Sequence, residues 1–224
     1  MTILLAVLVA SLSAADPIRV QLTTGGHDHD LSFYSVLDDP AFAVRVNPHP
    51  IAFRGDLRRN TDVLVLYDMT DTTDEKQMAN LRAFVESGRG IVVLHHALLD
   101  NKHWPWWYEE VVGGLYRDKE SKFKHDILMD VKAVATHPVL TGIPANFRIE
   151  DEGYRLMRLS PTNTVLLQTQ HPDADPPLAW ISAYTKARVV VIQLGHGPTA
   201  HRDPNYRRLV RNAVRWVAGR STAQ

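Results

Sequence analysis

The chain contains no cysteine. That excludes a thiol nucleophile, a disulfide framework and every thiolate metal site. It also lacks an excess of either charge, with 25 Lys and Arg against 25 Asp and Glu. A formal net charge of zero argues against nucleic acid as a partner, because a phosphate backbone selects basic surfaces. The sequence has no Gly-x-Ser-x-Gly elbow, no P-loop, no Rossmann glycine fingerprint and no His-Glu-x-x-His pair. Only residues 2–12 form a long apolar run, and they are too few for a finished membrane anchor. Ser13-Ala14-Ala15 follows in a small-x-small pattern, and the composition changes at Asp16-Pro17. Residues 1–15 therefore read as a signal peptide, with residues 16–224 as one domain. The implied location is periplasmic or secreted, with no membrane span once the signal is removed.

Eleven histidines are present, and many fall where secondary structure is expected to end. Ile91-Val92-Val93-Leu94 is apolar and rich in β-branched residues, as in a buried strand, and it stops at His95-His96. Gly88 and Gly90 mark the helix end before it. Residues 18–23 alternate as a first strand and run into Gly25-Gly26-His27-Asp28-His29-Asp30. Residues 31–37 suggest a short helix, and residues 42–46 a second strand. Val63-Leu64-Val65-Leu66-Tyr67 is a buried strand ending at Asp68. From Asp74 or a neighbouring Thr, the spacing of Met78, Leu81, Phe84 and Val85 predicts a helix. Later strands are expected over residues 125–134 and 164–169, with a segment between them read as a loop up to Phe147. Residues 178–183 and 188–193 read as a hairpin leading to Leu194-Gly195-His196. A helix over about residues 204–217 closes the chain.

Alternating strands and helices predict an α/β fold, mostly parallel, with antiparallel strands added at one edge. In such sheets chemistry collects beyond the carboxyl ends of the strands. His27, Asp68, His95-His96 and His196 would converge there. Two chemistries suit that set. Imidazoles can act as general base and acid, oriented by carboxylates such as Asp30 or Glu152. Alternatively, three neutral imidazoles, or two and a carboxylate, can hold a zinc-type divalent ion with an open position. In an extended backbone adjacent His95 and His96 would point apart, so one of them is expected in the cleft and His96 is expected to pack or support it. His27, Asp30, Asp68 and His125 are candidate polar contacts for a substrate. Trp104 and Trp107, from the Trp104-Pro105-Trp106-Trp107-Tyr108 segment, either fill core or form an aromatic wall against a sugar ring.

Taken in order, several segments resemble the ThuA-like (trehalose-utilisation) family. They are Thr24 to Asp30, Asp62 to Asp68, Gly90 to Ala97, Trp107 to Gly114, His137-Pro138-Val139, Asp151-Glu152-Gly153-Tyr154, Ala179-Trp180, Gln193 to His196 and Arg215 to Gly219. The resemblance implies a flavodoxin-like three-layer sandwich, similar to class I glutamine amidotransferases. Those enzymes carry a nucleophilic cysteine at the turn after the central strand, where this chain has His95-His96. Glutamine hydrolysis through a thioester is therefore excluded. The resemblance implies carbohydrate processing instead, on a glycoside or 3-keto-glycoside, with a small-molecule carbohydrate as partner. Of the matched positions, His29, His95, Glu152 and His196 lie nearest the family's recurring pattern. The expectation is that His95 or Glu152 removes a proton beside a 3-keto group while His196 protonates the leaving oxygen. If an ion is bound, His29, His95 and His196 are its expected ligands. The alternative is a non-catalytic carbohydrate-binding domain on the same scaffold. Both readings leave the oligomeric state open, a homo-oligomer included.

Overall fold

The computed structural model describes residues 16–220, so the signal-peptide reading of residues 1–15 lies outside the described residues. In chain order the elements are β1 (Ile18–Gly25), β2 (Phe42–Val46), β3 (Val63–Asp68), α1 (Glu75–Glu86), β4 (Gly90–Leu94), β5 (Gly114–Leu115), β6 (Lys122–Ala133) and β7 (Asn146–Arg155). They continue with β8 (Arg158–Leu159), β9 (Thr164–Thr169), β10 (Pro177–Ile181), β11 (Val189–Ile192), α2 (Pro198–Arg202) and α3 (Pro204–Val217). Leu31–Leu37 and His95–Leu99 form 3-10 turns, and Trp106–Val112 winds as a π-helix. Among the described residues no helix is long and apolar enough to cross a membrane.

Nine strands make one sheet in the order β2-β1-β3-β4-β11-β10-β9-β6-β7. The first five are mutually parallel, and each neighbouring pair from β11 to β7 is antiparallel. The expected mostly parallel sheet with an antiparallel edge is therefore present. Its central strands are buried on both faces, which explains their unbroken apolar runs. Val65, Tyr67, Val92, Leu94, Val190 and Ile192 pack into one core with α3, while Leu64, Leu66, Ile91, Val93 and Val191 pack into another with α1. Alternation along each strand thus builds three layers.

Local chemistry fixes the helix ends. The Asp74 carboxylate accepts the Gln77 N–H at the start of α1, and Asp203 accepts the Asn205 and Tyr206 N–H groups at the start of α3, where Pro204 needs no partner. The segment expected to be a loop up to Phe147 contributes the first residues of β7. β6 and β7 pair with each other over nearly their full lengths, whereas β9 meets β6 only at Val131, Lys132 and Ala133. The unsupported half of the β6–β7 ribbon extends past the sheet and leans over the carboxyl ends of β4 and β11.

Of the two readings of the aromatic segment, Trp107 takes the core one. Trp107 is 1% exposed and belongs to the α1-side core. Trp104 and Trp106 pack together on the same side, with the Arg82 guanidinium of α1 4.1 Å from the Trp106 ring centroid. Trp104 and Trp106 are half-buried against the same cluster. Trp107→Ala should lower stability by about 3–5 kcal/mol, the cost of an emptied aromatic site. Urea denaturation of the variant beside wild type measures it.

Candidate active site

The carboxyl ends of β1, β4 and β11 meet the outer half of the β6–β7 ribbon, and five histidines gather there. His95 leaves β4 with φ at 42°, a left-handed conformation that a residue with a side chain rarely adopts. This sharp turn, in place of continued strand, overturns the expectation that His95 and His96 point apart. Both imidazoles are buried, with ring centroids 4.5 Å apart, and each lies 5.2 Å from the His196 ring. His27, from the turn after β1, stacks on His96 at 4.1 Å.

Hydrogen bonds settle the tautomer of His95. Its Nδ1 lies 2.5 Å from the Gln193 carbonyl oxygen. A carbonyl only accepts, so Nδ1 carries the proton. Neutral His95 therefore presents a bare Nε2 lone pair, which accepts from the Tyr154 hydroxyl at 2.9 Å. The same Nε2 is 3.2 Å from His196 Nδ1 and 3.4 Å from Glu152 Oε1. Burial holds the His95, His96 and His196 imidazoles below the ordinary histidine range, and the mutual proximity of the rings adds to it. All three are neutral near pH 7.

Glu152 lies among these rings. Its Oε2 is 2.5 Å from His125 Nδ1 and 3.4 Å from His196 Nδ1. Burial raises its carboxyl above the usual range, against the opposing pull of His196 and His125. His125 reaches it through an irregularity in β6: the β6–β7 register shifts between Lys124 and Ile127, and Asp126 has φ at 52°. Such bulges re-aim a side chain. The exposures are graded. The His95 side chain is 0% exposed, that of Glu152 5%, that of His196 28% and that of His125 51%. Glu152, His196 and His125 thus form the accessible edge, with His95 behind them.

Two residues not picked out by the sequence hold this arrangement. Asp151 accepts backbone N–H groups from Glu152 at 2.8 Å, Gly195 at 2.6 Å and His196 at 2.9 Å. Burial moves its carboxyl up to about 7, opposed by these three bonds. Gly195 has φ at 117°, and a Cβ there would collide with the Tyr206 hydroxyl, so the turn requires glycine. Gln193 donates from Nε2 to the Glu152 carbonyl at 2.9 Å, while its own carbonyl fixes His95.

The remaining expected site residues lie apart from the cluster. Asp30 is a cap, accepting the Ser32 N–H at 2.8 Å. His29 sits one layer out, its Nε2 3.2 Å from the Tyr34 hydroxyl and its ring against Tyr67. Its place in a three-imidazole group is taken by His96: the ligand atoms of His95, His96 and His196 lie within 4.8 Å of one another, as do those of His125, Glu152 and His196. Asp68 turns away from the histidine cluster to His49, whose Nε2 is 2.7 Å distant. A groove of about 860 Å³ on the antiparallel edge, lined by Asp130, Lys132, Arg148 and His171, holds none of the clustered groups.

Asp68 has a structural partner. Asp100, which ends the His95–Leu99 turn and accepts the Thr70 N–H at 2.7 Å, shares a hydrogen bond with Asp68. Asp68 Oδ1 and Asp100 Oδ2 have no donor among the described residues, and one proton between them satisfies both. Burial and then the Asp68 charge hold the Asp100 carboxyl well above its usual range. Folding therefore takes up a proton, and this contribution to stability falls as pH rises above about 4, the unfolded value. Asp100→Asn, shaped like the neutral acid, should flatten that fall and be more stable than wild type near neutrality. Urea melts at about pH 5 and about pH 8 compare the slopes.

Sheet, turn and cluster define an α/β protein in which imidazoles stand at the turn after the central strand β4. The chain belongs to the ThuA family: the family model, described as trehalose utilisation, matches residues 20–217. Membership ties it to a carbohydrate-related function. A ThuA-like protein of Parabacteroides merdae is similar in structure, with a TM-score of 0.79 and 21% identity, each chain being covered over 93%. A second, from Bacteroides uniformis, has a TM-score of 0.71 and 20% identity over 93% of this chain and 95% of that one. A glutamine amidotransferase of Thermotoga maritima matches with a TM-score of 0.54 and 12% identity over 91% of this chain and 99% of its own. At these identities the likeness is one of fold, the flavodoxin-like sandwich. No curated protein matches the chain.

Proposed function

We propose that the protein is a carbohydrate-processing enzyme that acts on a 3-keto-glycoside by acid–base chemistry at Glu152. The observation that carries this reading is the graded edge of the cluster: a buried carboxylate with a raised pKa, 2.5 Å from a half-exposed imidazole. A carboxylate of raised pKa is a stronger base, and a positioned acid beside it suits a reaction that removes one proton and delivers another.

In the proposed reaction Glu152 takes the proton from the carbon between the ketone and the anomeric centre. The ketone makes that C–H acidic. Its electron pair forms the carbon–carbon double bond, the anomeric C–O bond breaks, and the leaving oxygen takes a proton from His125. Glu152 ends protonated and His125 deprotonated. The Nδ1–H of His125 stays on Glu152 throughout, so the proton leaves from Nε2; Nε2 regains a proton from solvent and Glu152 releases its own to solvent, which resets the pair. Addition of water across the double bond completes a net hydrolysis. An unoxidised glycoside lacks the acidic C–H and is a poor substrate for this route. His196 lines the same edge, but its side chain is 28% exposed against 51% for His125, so the outward proton is assigned to His125. The residue 1–15 signal reading places the proposed activity in the periplasm or outside the cell.

Glu152→Gln and His125→Ala should each lower turnover of a 3-keto-disaccharide by at least about 100-fold while the folded circular-dichroism spectrum is kept. Product formation followed by mass spectrometry, with the parent disaccharide as control, makes the test. Wild-type rates in both variants would overturn the proposed roles. Calorimetric binding of oligosaccharide without any product would favour the non-catalytic carbohydrate-binding domain.

A further inference from the structure

We infer that His95, His96 and His196 form a site for a single zinc-type divalent ion. Three observations converge. The first is geometric. Nitrogens bound to one tetrahedral zinc at 2.0–2.1 Å stand about 3.3 Å apart, and the rings that carry them have centroids about 5 Å apart. His95 Nε2 and His196 Nδ1 are 3.2 Å apart, and the three rings have centroid separations of 4.5, 5.2 and 5.2 Å. The donor atoms all lie within 4.8 Å of one another.

The second observation is the tautomer. A metal-bound histidine characteristically gives its other N–H to a carbonyl or carboxylate, which fixes the ring and leaves the ligating lone pair bare. His95 does this through Nδ1 and the Gln193 carbonyl. The third is an orphan. His96 is 3% exposed, and its Nε2 is buried without a hydrogen-bond partner among the described residues. Buried polar atoms are nearly always satisfied. A chain of hydrogen bonds from His196 to His95 accounts for those two rings and leaves His96 without a role. An ion gives all three one.

The donor set selects the class of ion. With no thiolate in the chain and three imidazoles, zinc or a similar first-row divalent metal fits better than calcium or magnesium, which take oxygen ligands. The Glu152 oxygens are 3.4 Å from His95 Nε2 and from His196 Nδ1, so the fourth position faces this carboxylate. A water bound there would be held by Glu152. The Tyr154 hydroxyl, which also reaches Glu152, can turn to it once the ion takes the His95 lone pair. Bound in this place, the ion supplies a Lewis acid at the edge where the proposed substrate binds. The inference concerns the same cluster as the proposed reaction but rests on the nitrogen geometry, the His95 tautomer and the orphaned His96 nitrogen, none of which depends on that reaction.

The test uses untagged full-length protein, so that no affinity tag contributes imidazoles. Elemental analysis should find one equivalent of metal. Protein stripped with chelator and titrated with cobalt(II) should develop the intense visible bands of a tetrahedral site. His96→Ala and His196→Ala should each weaken zinc binding by more than about 100-fold, since losing even an outer support costs 10–100-fold. His29→Ala and His125→Ala should keep it. X-ray absorption of the zinc-loaded wild-type protein should show an imidazole-rich shell, which holds even where a variant fails to fold. No binding of zinc or cobalt by wild type, or undiminished binding by a folded His96→Ala variant, overturns the site. Because the readouts are metal content and spectra, failure of the 3-keto-glycoside reaction would leave this result standing, and the converse also holds.

Discussion

The Asp151 carboxylate is the joint on which the site depends. It comes from β7, at the antiparallel edge of the sheet, and accepts three backbone N–H groups, two of them from the turn after β11. No continuous ladder links these strands, because β10, β9 and β6 intervene. The carboxylate substitutes for one. It bends the free half of the β6–β7 ribbon inward and sets His196 and Glu152 beside one another. Gln193 reinforces the joint from the opposite direction, with its side chain on the Glu152 backbone and its carbonyl on His95. An ionised carboxylate in such a place is costly unless several donors meet it, and here they do. The raised pKa of Asp151 is the remainder of that opposition.

A second constraint acts within β4. Five residues of strand with neither face exposed are followed at once by a left-handed residue. Strain of this kind persists only where surroundings enforce it. The enforcement comes from both ends of the turn: Gln193 holds the His95 ring, and the Asp100–Asp68 pair anchors the last residue. Between these anchors the chain presents two successive imidazoles to one space, which a regular strand cannot do. Their burial keeps them neutral, the form in which an imidazole offers a lone pair.

The features legible in the sequence are those set by neighbours in the chain. Alternation and apolar runs give the central strands, and the start of α1 is legible to within a residue or two, at Asp74 or a neighbouring threonine. The convergence of His95 and His196 followed from parallel strands and strand ends alone. The rest depends on long-range geometry. In an extended chain adjacent side chains point apart, which gives His96 only a supporting role, and the left-handed turn at His95 is what brings both rings to one space. Tyr154 and Asp151 stood within a recognised segment, yet their partners are 59 and 44 residues away. His125 reaches Glu152 through a bulge that strand periodicity conceals. Trp107 read equally well as core or wall, since an aromatic ring satisfies the physics of both.

The same geometry determines where reaction can occur on this scaffold. The resemblance to glutamine amidotransferases implies a nucleophile at the turn after the central strand. Here the residue in that turn is roofed: the Tyr154 ring stacks on His95 at 4.7 Å, and the imidazole is fully buried. A substrate cannot approach His95 as a nucleophile, whatever its basicity. The groups that can be approached belong to β6 and β7 and to the loop after β11. In the proposed reaction the reacting groups lie on the ribbon that covers the turn, and the turn forms the floor of the site. Removing a thiol alone would leave an inert fold. Imidazoles on the floor and a carboxylate folded over them make a different arrangement, the one to which the proposed proton transfers and the inferred ion are assigned.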